Sequence, residues 1–298
     1  MNCKRYTLLL ALLDALGGQA TRLEFQKLLF LFCQEDSAPL YEFVPYKYGA
    51  FSFTSYADQR RLEAQGLLKT NAVTLLLTPQ GAAWVRATAA SQRTRIRAFV
   101  ERYEGVRGDT LIADTYRRFP YYATRSEMAG RILAGDPGAL KQIEAARPVQ
   151  LCPRVYTIGY EGRSLEGYLN MLLRAGVHVL CDVRRNAMSR KYGFSKKTLA
   201  QACEGVGIAY QHIAELGIAS EERQALQTAD EYQQLFRRYE QEYLPRLAAY
   251  VKRIAAMIAG GRGVALTCYE RDAGMCHRHY VAEAVCRALR PRMEPVHL

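Results

Sequence analysis

Residues 155–183 read VYTIGYEGRSLEGYLNMLLRAGVHVLCDV, and this stretch decides the fold of the second half of the chain. Two short apolar runs, VYTIGY and VHVLCDV, flank a segment over residues 164–175 whose apolar spacing predicts a helix. Two strands joined by a helix in this way lie parallel in one sheet. We therefore predict an α/β domain.

The same alternation continues toward the C-terminus. IAYQHI, GVALTC and MEPVHL predict further strands, and helices are predicted over residues 195–204, over 229–259 with a break at Pro245, and over 276–289. Because the strands are apolar throughout, helices should cover both faces of a mostly parallel, Rossmann-like sheet. No GxGxxG fingerprint follows the first strand, so a dinucleotide cofactor is not expected.

The first half of the chain is predicted to be mainly helical. Helices are predicted over residues 5–16, from Thr21 with Glu24 as its capping partner, and through YADQRRLEAQGLL, before a hairpin around Thr70 and a further helix at TPQGAAWV. This order is typical of a winged helix-turn-helix. The pattern QKLLF…YGAFS also resembles the Panacea (SocA-like) antitoxin domain.

Two prolines mark the predicted boundary between the halves, Pro148 and Pro153. The predicted division is a winged-helix-like domain over residues 1–85, an Arg-rich helical connector over 86–150, and the α/β domain over 151–298. Solvated helix faces explain the arginines of the connector better than a dedicated nucleic-acid surface does.

Composition bounds the function classes. The 298 residues are 49% hydrophobic, enough to bury a core, and 41 Lys and Arg against 29 Asp and Glu give a formal charge of +12. This excess favours an anionic partner, nucleic acid first. The charge would also fit a phosphorylated small molecule or an acidic protein as the partner. It would fit equally a basic protein that is merely soluble.

The localisation expected from the sequence is cytoplasmic. Asp14 interrupts the only apolar stretch near the N-terminus, so no signal peptide is expected, and no run is long enough for a membrane span. In that compartment the eight cysteines should be reduced, so a disulfide framework is not expected. Without a membrane span, a membrane partner is not expected either. The oligomeric state is left open.

Reactive residue types follow the predicted strands, at the edge where ligands bind in open α/β sheets. The opposite loops, RAGVH, EGVGIA and AGGRG, carry mostly small residues. The groups that follow the four strands are Tyr160 and Glu161, Asp182 to Arg185, His212 and Glu215, and Cys268 to Glu270 with Cys276 to Arg278. This asymmetry predicts one site at one edge.

These residues also resemble a known family. YTIGYEGRSLEGYLNMLLRAGVHVLCDVRRNAMSRKYGFSKKTL, LGI and LTCYERDAGMCHR are similar to the domains of unknown function numbered 488, over about residues 154–290. The motifs DVR…SR…GF and C-x-E…CHR carry the match. Where that family usually has a proline, two residues before Ser189, this chain has Ala187. The resemblance implies little about the reaction, because the biochemistry of the family is largely unassigned.

The candidate catalytic residues are Cys276, His277, Glu270, Cys268 and Asp182. Cys276 begins a predicted helix beside two basic side chains, where the helix dipole and positive charge lower a thiol pKa. Glu270 is the expected acid or base, whereas the expected role of Asp182 is to orient an arginine. The alternative for both cysteines is a small buried side chain.

A bound metal is not favoured by the spacing. Zinc motifs commonly separate cysteines by two to four residues, and seven lie between Cys268 and Cys276. Convergence in space with His277 or His279 and with Cys181 stays open, as does a redox-active disulfide. We expect no cofactor.

The second predicted strand leads into a basic loop that suits phosphate, since arginine can bind it bidentately. A solvated basic loop is the alternative. Lys196 and Lys197 extend the loop, and Tyr192 and Tyr160 could stack on a base or sugar. The residues predicted to bind phosphate or substrate are Tyr160, Arg184, Arg185, Ser189, Arg190, Lys191 and Arg278.

Two functions fit these patterns. The first is a thiol-dependent enzyme acting on a phosphate-bearing substrate, DNA, RNA or a nucleotide, with Cys276 as the nucleophile or redox thiol. The second is a non-enzymatic DNA-binding regulator or antitoxin-like protein whose α/β domain binds a ligand. We favour the enzyme, because reactive residue types gather where an α/β site belongs.

Overall fold

The protein is represented by a computed structural model that describes residues 3–149, 153–219, 221–224 and 226–298. The chain divides into two compact units, Met1–Arg147 and Pro148–Leu298, and residues 86–147 belong to the first. Cys152, one of the eight cysteines, lies outside the described residues.

The first unit is mostly helical. Its helices are α1 (Cys3–Ala15), α2 (Arg22–Gln34), α3 (Phe53–Ala64), α4 (Pro79–Arg86), α5 (Ala90–Glu101), α6 (Gly108–Arg118), α7 (Pro120–Ala123), α8 (Ala129–Ile132) and α9 (Pro137–Ala145). Its strands are β1 (Gln19–Thr21), β2 (Val44–Tyr46), β3 (Gly49–Phe51), β4 (Leu68–Thr70) and β5 (Thr74–Leu77). They form an antiparallel sheet in the order β1-β5-β4 and a separate β2-β3 hairpin.

Local chemistry explains two predicted features of this unit. The Thr21 hydroxyl accepts the backbone N–H of Glu24 at 3.2 Å and so caps α2. The Asn71 side-chain oxygen accepts the N–H groups of Val73 and Thr74 at 2.9 and 2.7 Å, which turns the chain from β4 into β5. The capped helix and the hairpin are confirmed, while the winged-helix assignment stays a prediction.

The second unit is an α/β domain with a five-stranded, all-parallel sheet, as predicted. Its strands are β6 (Val155–Gly159), β7 (Val179–Asp182), β8 (Ala209–His212), β9 (Val264–Cys268) and β10 (Val296–His297), in the order β10-β6-β9-β7-β8. Its helices are α10 (Leu165–Arg174), α11 (Lys196–Gly205), α12 (Glu221–Gln224), α13 (Ala229–Arg238), α14 (Ala248–Ala259) and α15 (His277–Ala288).

The sheet places β9 at its centre, and β6, β7 and β9 are buried along their whole length. Such strands suit a sheet covered on both faces. The break expected at Pro245 is present, because a π turn over Tyr239–Tyr243 and a 3-10 turn over Leu244–Leu247 separate α13 from α14. Within the described part of the chain, no helix has the length and apolar character needed to cross a membrane.

Candidate functional site

The central strand ends at a cluster of reactive side chains. Cys268 is the last residue of β9, Cys276 immediately precedes α15 and His277 is the first residue of that helix. The Cys268 Sγ and the Cys276 Sγ lie 4.0 and 3.9 Å from the His277 Nδ1, and the three ligand atoms all lie within 4.8 Å of one another. Three of the reactive side chains expected at the carboxyl edge therefore lie together there.

The cluster is enclosed in protein. Cys268, Cys276 and His277 are each only 1% exposed. Cys181 is buried in β7, where burial raises its pKa to about 12, and His279 pairs with Glu283 at 3.3 Å. Of the two histidines considered from the sequence, His277 is the one whose ring faces the sulfur atoms.

The orientation of the His277 ring is fixed by a backbone carbonyl. The Nε2 atom lies 3.0 Å from the carbonyl oxygen of Val183, directly after β7. A carbonyl oxygen only accepts hydrogen bonds, so Nε2 carries the proton and donates it. In the neutral ring the lone pair of Nδ1 then points toward the two sulfur atoms.

The two thiols have opposite pKa shifts. A hydrogen bond from Cys276, with a further contribution from the neighbouring His277, lowers the pKa of Cys268 well below its usual value. Burial, together with the hydrogen bond to Cys268, raises the pKa of Cys276. Because the two sulfur atoms lie next to each other, ionisation of one thiol favours the protonated form of the other.

Glu270 borders the same cluster. Burial raises the pKa of its carboxyl group, and the charge of Cys268 raises it further. Interaction with the Cys276 thiol lowers this pKa in part. The side chain chosen from the sequence as acid or base therefore lies beside the reactive atoms, with a pKa above its ordinary value.

The loop between Cys268 and Cys276 is held in place by Arg278 and Gly159. The Arg278 guanidinium is buried and donates to the carbonyl oxygens of Glu270 and Arg271 at 2.6 and 3.0 Å. A Cβ on Gly159 would lie 1.8 Å from the Glu270 carbonyl oxygen, so only glycine lets this loop approach β6. Arg278 thus positions the loop, which corrects the expectation that it binds phosphate.

Arg184 is likewise internal. Its Nε and Nη2 donate to the Asp182 carboxylate at 2.8 and 2.5 Å, and its Nη1 donates to the Tyr160 hydroxyl at 2.9 Å. The Tyr210 hydroxyl donates a further hydrogen bond to this carboxylate at 2.6 Å. The predicted orienting salt bridge of Asp182 is confirmed. A phosphate role for Arg184 does not fit, because its donors are already used inside the fold.

Tyr160 is packed inside the fold, and the backbone of Ser189 helps to close the loop. Tyr160 is buried and its ring stacks on Phe194 at 4.4 Å, so it offers no face to a base or sugar. Lys191 donates to the Tyr160 carbonyl oxygen at 3.0 Å. The Ser195 hydroxyl donates to the Ser189 carbonyl oxygen at 2.9 Å, and this contact closes the loop.

The exposed cations of the predicted basic loop are Arg185, Arg190, Lys196 and Lys197. Arg185 lines a cleft of about 280 Å³ that lies beyond the carboxyl ends of β7 and β8. Arg246, Glu215, Tyr239 and Tyr243 line it too. This is where an open α/β sheet places its ligand.

Tyr239 connects the cleft with the cluster. Its ring lines the cleft and meets the His277 ring edge-on at 5.7 Å, and its hydroxyl donates to the Leu216 carbonyl oxygen at 2.6 Å. The sequence assigned no role to Tyr239, Gly159 or Val183. Val183 belongs to the DVR motif, but it acts through its backbone carbonyl, which the motif does not reveal. Their roles come from the fold: a helical break, a close backbone approach and a carbonyl at a strand end.

Cys268, Cys276 and His277 together could hold a metal ion. Within the described ranges, no other group of His, Cys, Asp or Glu brings three ligand atoms this close together.

No curated protein matches this chain. The family model of the domain of unknown function DUF488 matches residues 164–285, which include Cys268, Cys276 and His277. Over these residues of its C-terminal half, the chain is similar to the DUF488 family.

Proposed function

We propose that the second unit is an enzyme acting on a phosphate-bearing substrate, a nucleotide or a nucleic acid, at the carboxyl edge of its sheet. The proposal rests on the position of Tyr239, which lines the cleft and also contacts the His277 ring of the cluster. A substrate in the cleft would therefore lie across the Tyr239 ring from the cluster of two thiols, an imidazole and a carboxyl group.

The charges of the cleft favour an anionic group. Arg185 and Arg246 are exposed and line it, and a guanidinium matches the oxygens of a phosphate bidentately. Of its two acids, Glu222 forms an ion pair with Arg238 at 2.7 Å, which offsets its charge. Glu215 is the second acid in the lining.

A second candidate function concerns the first unit. The chain passes through α1, β1, α2, α3, β4 and β5, with the strands in the order β1-β5-β4, and this arrangement favours a winged-helix module that binds DNA. Arg60 is exposed on α3, where its guanidinium lies over the Tyr56 ring at 4.9 Å. It is the side chain with which to test contact to duplex DNA.

Binding measurements on the full chain test whether the cleft binds the anionic substrate. We expect Arg185→Ala and Arg246→Ala each to weaken binding of a nucleoside triphosphate about tenfold or more, since a hydrogen bond to a charged group is worth about 1.5–3 kcal/mol. The matched control is Arg262→Ala, an exposed arginine just before β9 at the opposite edge of the sheet. Affinities of Arg185→Ala and Arg262→Ala that are equal would refute the cleft as the site.

Turnover separates the enzyme from the binder. With nucleoside triphosphate and oligonucleotide substrates, we expect Cys276→Ser to lose product formation while keeping its affinity. Binding by the wild type without any product would overturn the enzyme and favour the non-enzymatic alternative. Loss of duplex affinity in Arg60→Ala, steepest at low salt, would support DNA binding by the first unit; unchanged affinity would contradict it.

A further inference from the structure

We propose that Cys268, Cys276 and His277 form a zinc site in the second unit, with Glu270 bordering the fourth coordination position. The inference goes beyond the proposed function and needs no substrate. The donor set is one that zinc prefers, because thiolate sulfur and imidazole nitrogen are its usual ligands.

The separations between the donor atoms fit a tetrahedral ion. Zinc lies about 2.3 Å from sulfur and about 2.0–2.1 Å from nitrogen, so a tetrahedral site places sulfur and nitrogen about 3.6 Å apart. The observed distances from the His277 Nδ1 are 4.0 Å to Cys268 and 3.9 Å to Cys276. A movement of a few tenths of an ångström at each side chain closes the difference.

The imidazole is oriented as a ligand. A histidine that binds a metal usually donates its other ring N–H to a carboxylate or a backbone carbonyl, which fixes the ring and its tautomer. His277 does this through the Val183 carbonyl oxygen at 3.0 Å. This hydrogen bond involves neither cysteine, so it is a separate observation in favour of the site.

Rigid elements hold the ligands despite their long spacing in the sequence. Cys268 is fixed by the central strand, and the first turn of α15 fixes Cys276 and His277. Short paired spacings are needed where a loop alone must shape the site; here the sheet and the helix do so, and Arg278 holds the intervening loop through two carbonyl oxygens.

Zinc content of the full-length protein, purified under reducing conditions, tests the proposal. We expect about one zinc per chain in the wild type and less than about a tenth of that in Cys268→Ser, Cys276→Ser and His277→Ala. Two matched controls lie on α15 itself: Cys286→Ser removes another buried cysteine, and His279→Ala removes the neighbouring histidine. Both should keep the zinc.

A second measurement does not depend on variants that fold. After removal of zinc with a chelator, titration of the wild type with Co²⁺ should produce the near-ultraviolet absorption of a cobalt–thiolate bond and saturate at one equivalent. Absence of zinc together with absence of this band would overturn the site, as would equal zinc in the wild type and Cys276→Ser. A Cys268–Cys276 disulfide in protein that takes up no metal after reduction would overturn it too. Because no substrate is used, failure here is distinct from failure of the phosphate proposal.

Discussion

Arg184 shows how burial changes the role of a residue type that the sequence marks for phosphate binding. Its guanidinium is almost fully buried, and Asp182 and Tyr160 take its donors. Arg185, the next residue, is exposed and lines the cleft. Two adjacent arginines thus have opposite roles, and only the direction of each side chain tells them apart.

At this scale we predict that Arg184→Ala is a stability variant. It leaves the Asp182 carboxylate buried with the Tyr210 hydroxyl as its remaining side-chain donor, and removing one partner of a buried ion pair costs about 3–5 kcal/mol. Urea unfolding measures the loss. Arg190→Ala, at an exposed position of the same loop, should change the free energy of unfolding by less than about 0.5 kcal/mol. Equal stability of the two variants would contradict the structural role.

At the scale of elements, the site depends on how closely the loop after β9 approaches the end of β6. The backbone N–H of Glu161 donates to the Tyr269 carbonyl oxygen at 2.9 Å, and that of Arg271 donates to the Glu161 carboxylate at 3.0 Å. Gly159 makes room for the Glu270 carbonyl oxygen in this contact. The loop that joins the two cysteines is therefore shaped by a neighbouring strand.

The variant Gly159→Ala tests this contact. Its methyl group would overlap the Glu270 carbonyl oxygen, so the loop must shift, and overpacking of this kind costs about 1–3 kcal/mol. We also expect Cys268 and Cys276 to react faster with a thiol reagent in the native protein. Gly274→Ala is the control in the same loop, since its methyl group would meet only the Asp272 side chain at 3.4 Å. Equal reactivity in the two variants would count against the account.

At the scale of the whole molecule, the pattern of apolar runs was enough to predict a parallel sheet and the edge where its reactive side chains meet. The end of β9 at Cys268 and the start of α15 just after Cys276 follow from that pattern alone. The pattern does not predict the direction in which a side chain points. Arg278 and Tyr160 point inward, and Tyr239 reaches His277 from a distant helical break, because packing in three dimensions decides these contacts.

At the carboxyl edge of the sheet we propose a metal centre with two sulfur ligands and one imidazole ligand. X-ray absorption at the zinc edge of the full-length protein, purified under reducing conditions, measures the ligand shell directly. We predict two sulfur atoms at about 2.3 Å and nitrogen or oxygen atoms at about 2.0–2.2 Å, with the sulfur shell lost in Cys268→Ser/Cys276→Ser. A shell of nitrogen and oxygen alone in the wild type would contradict it.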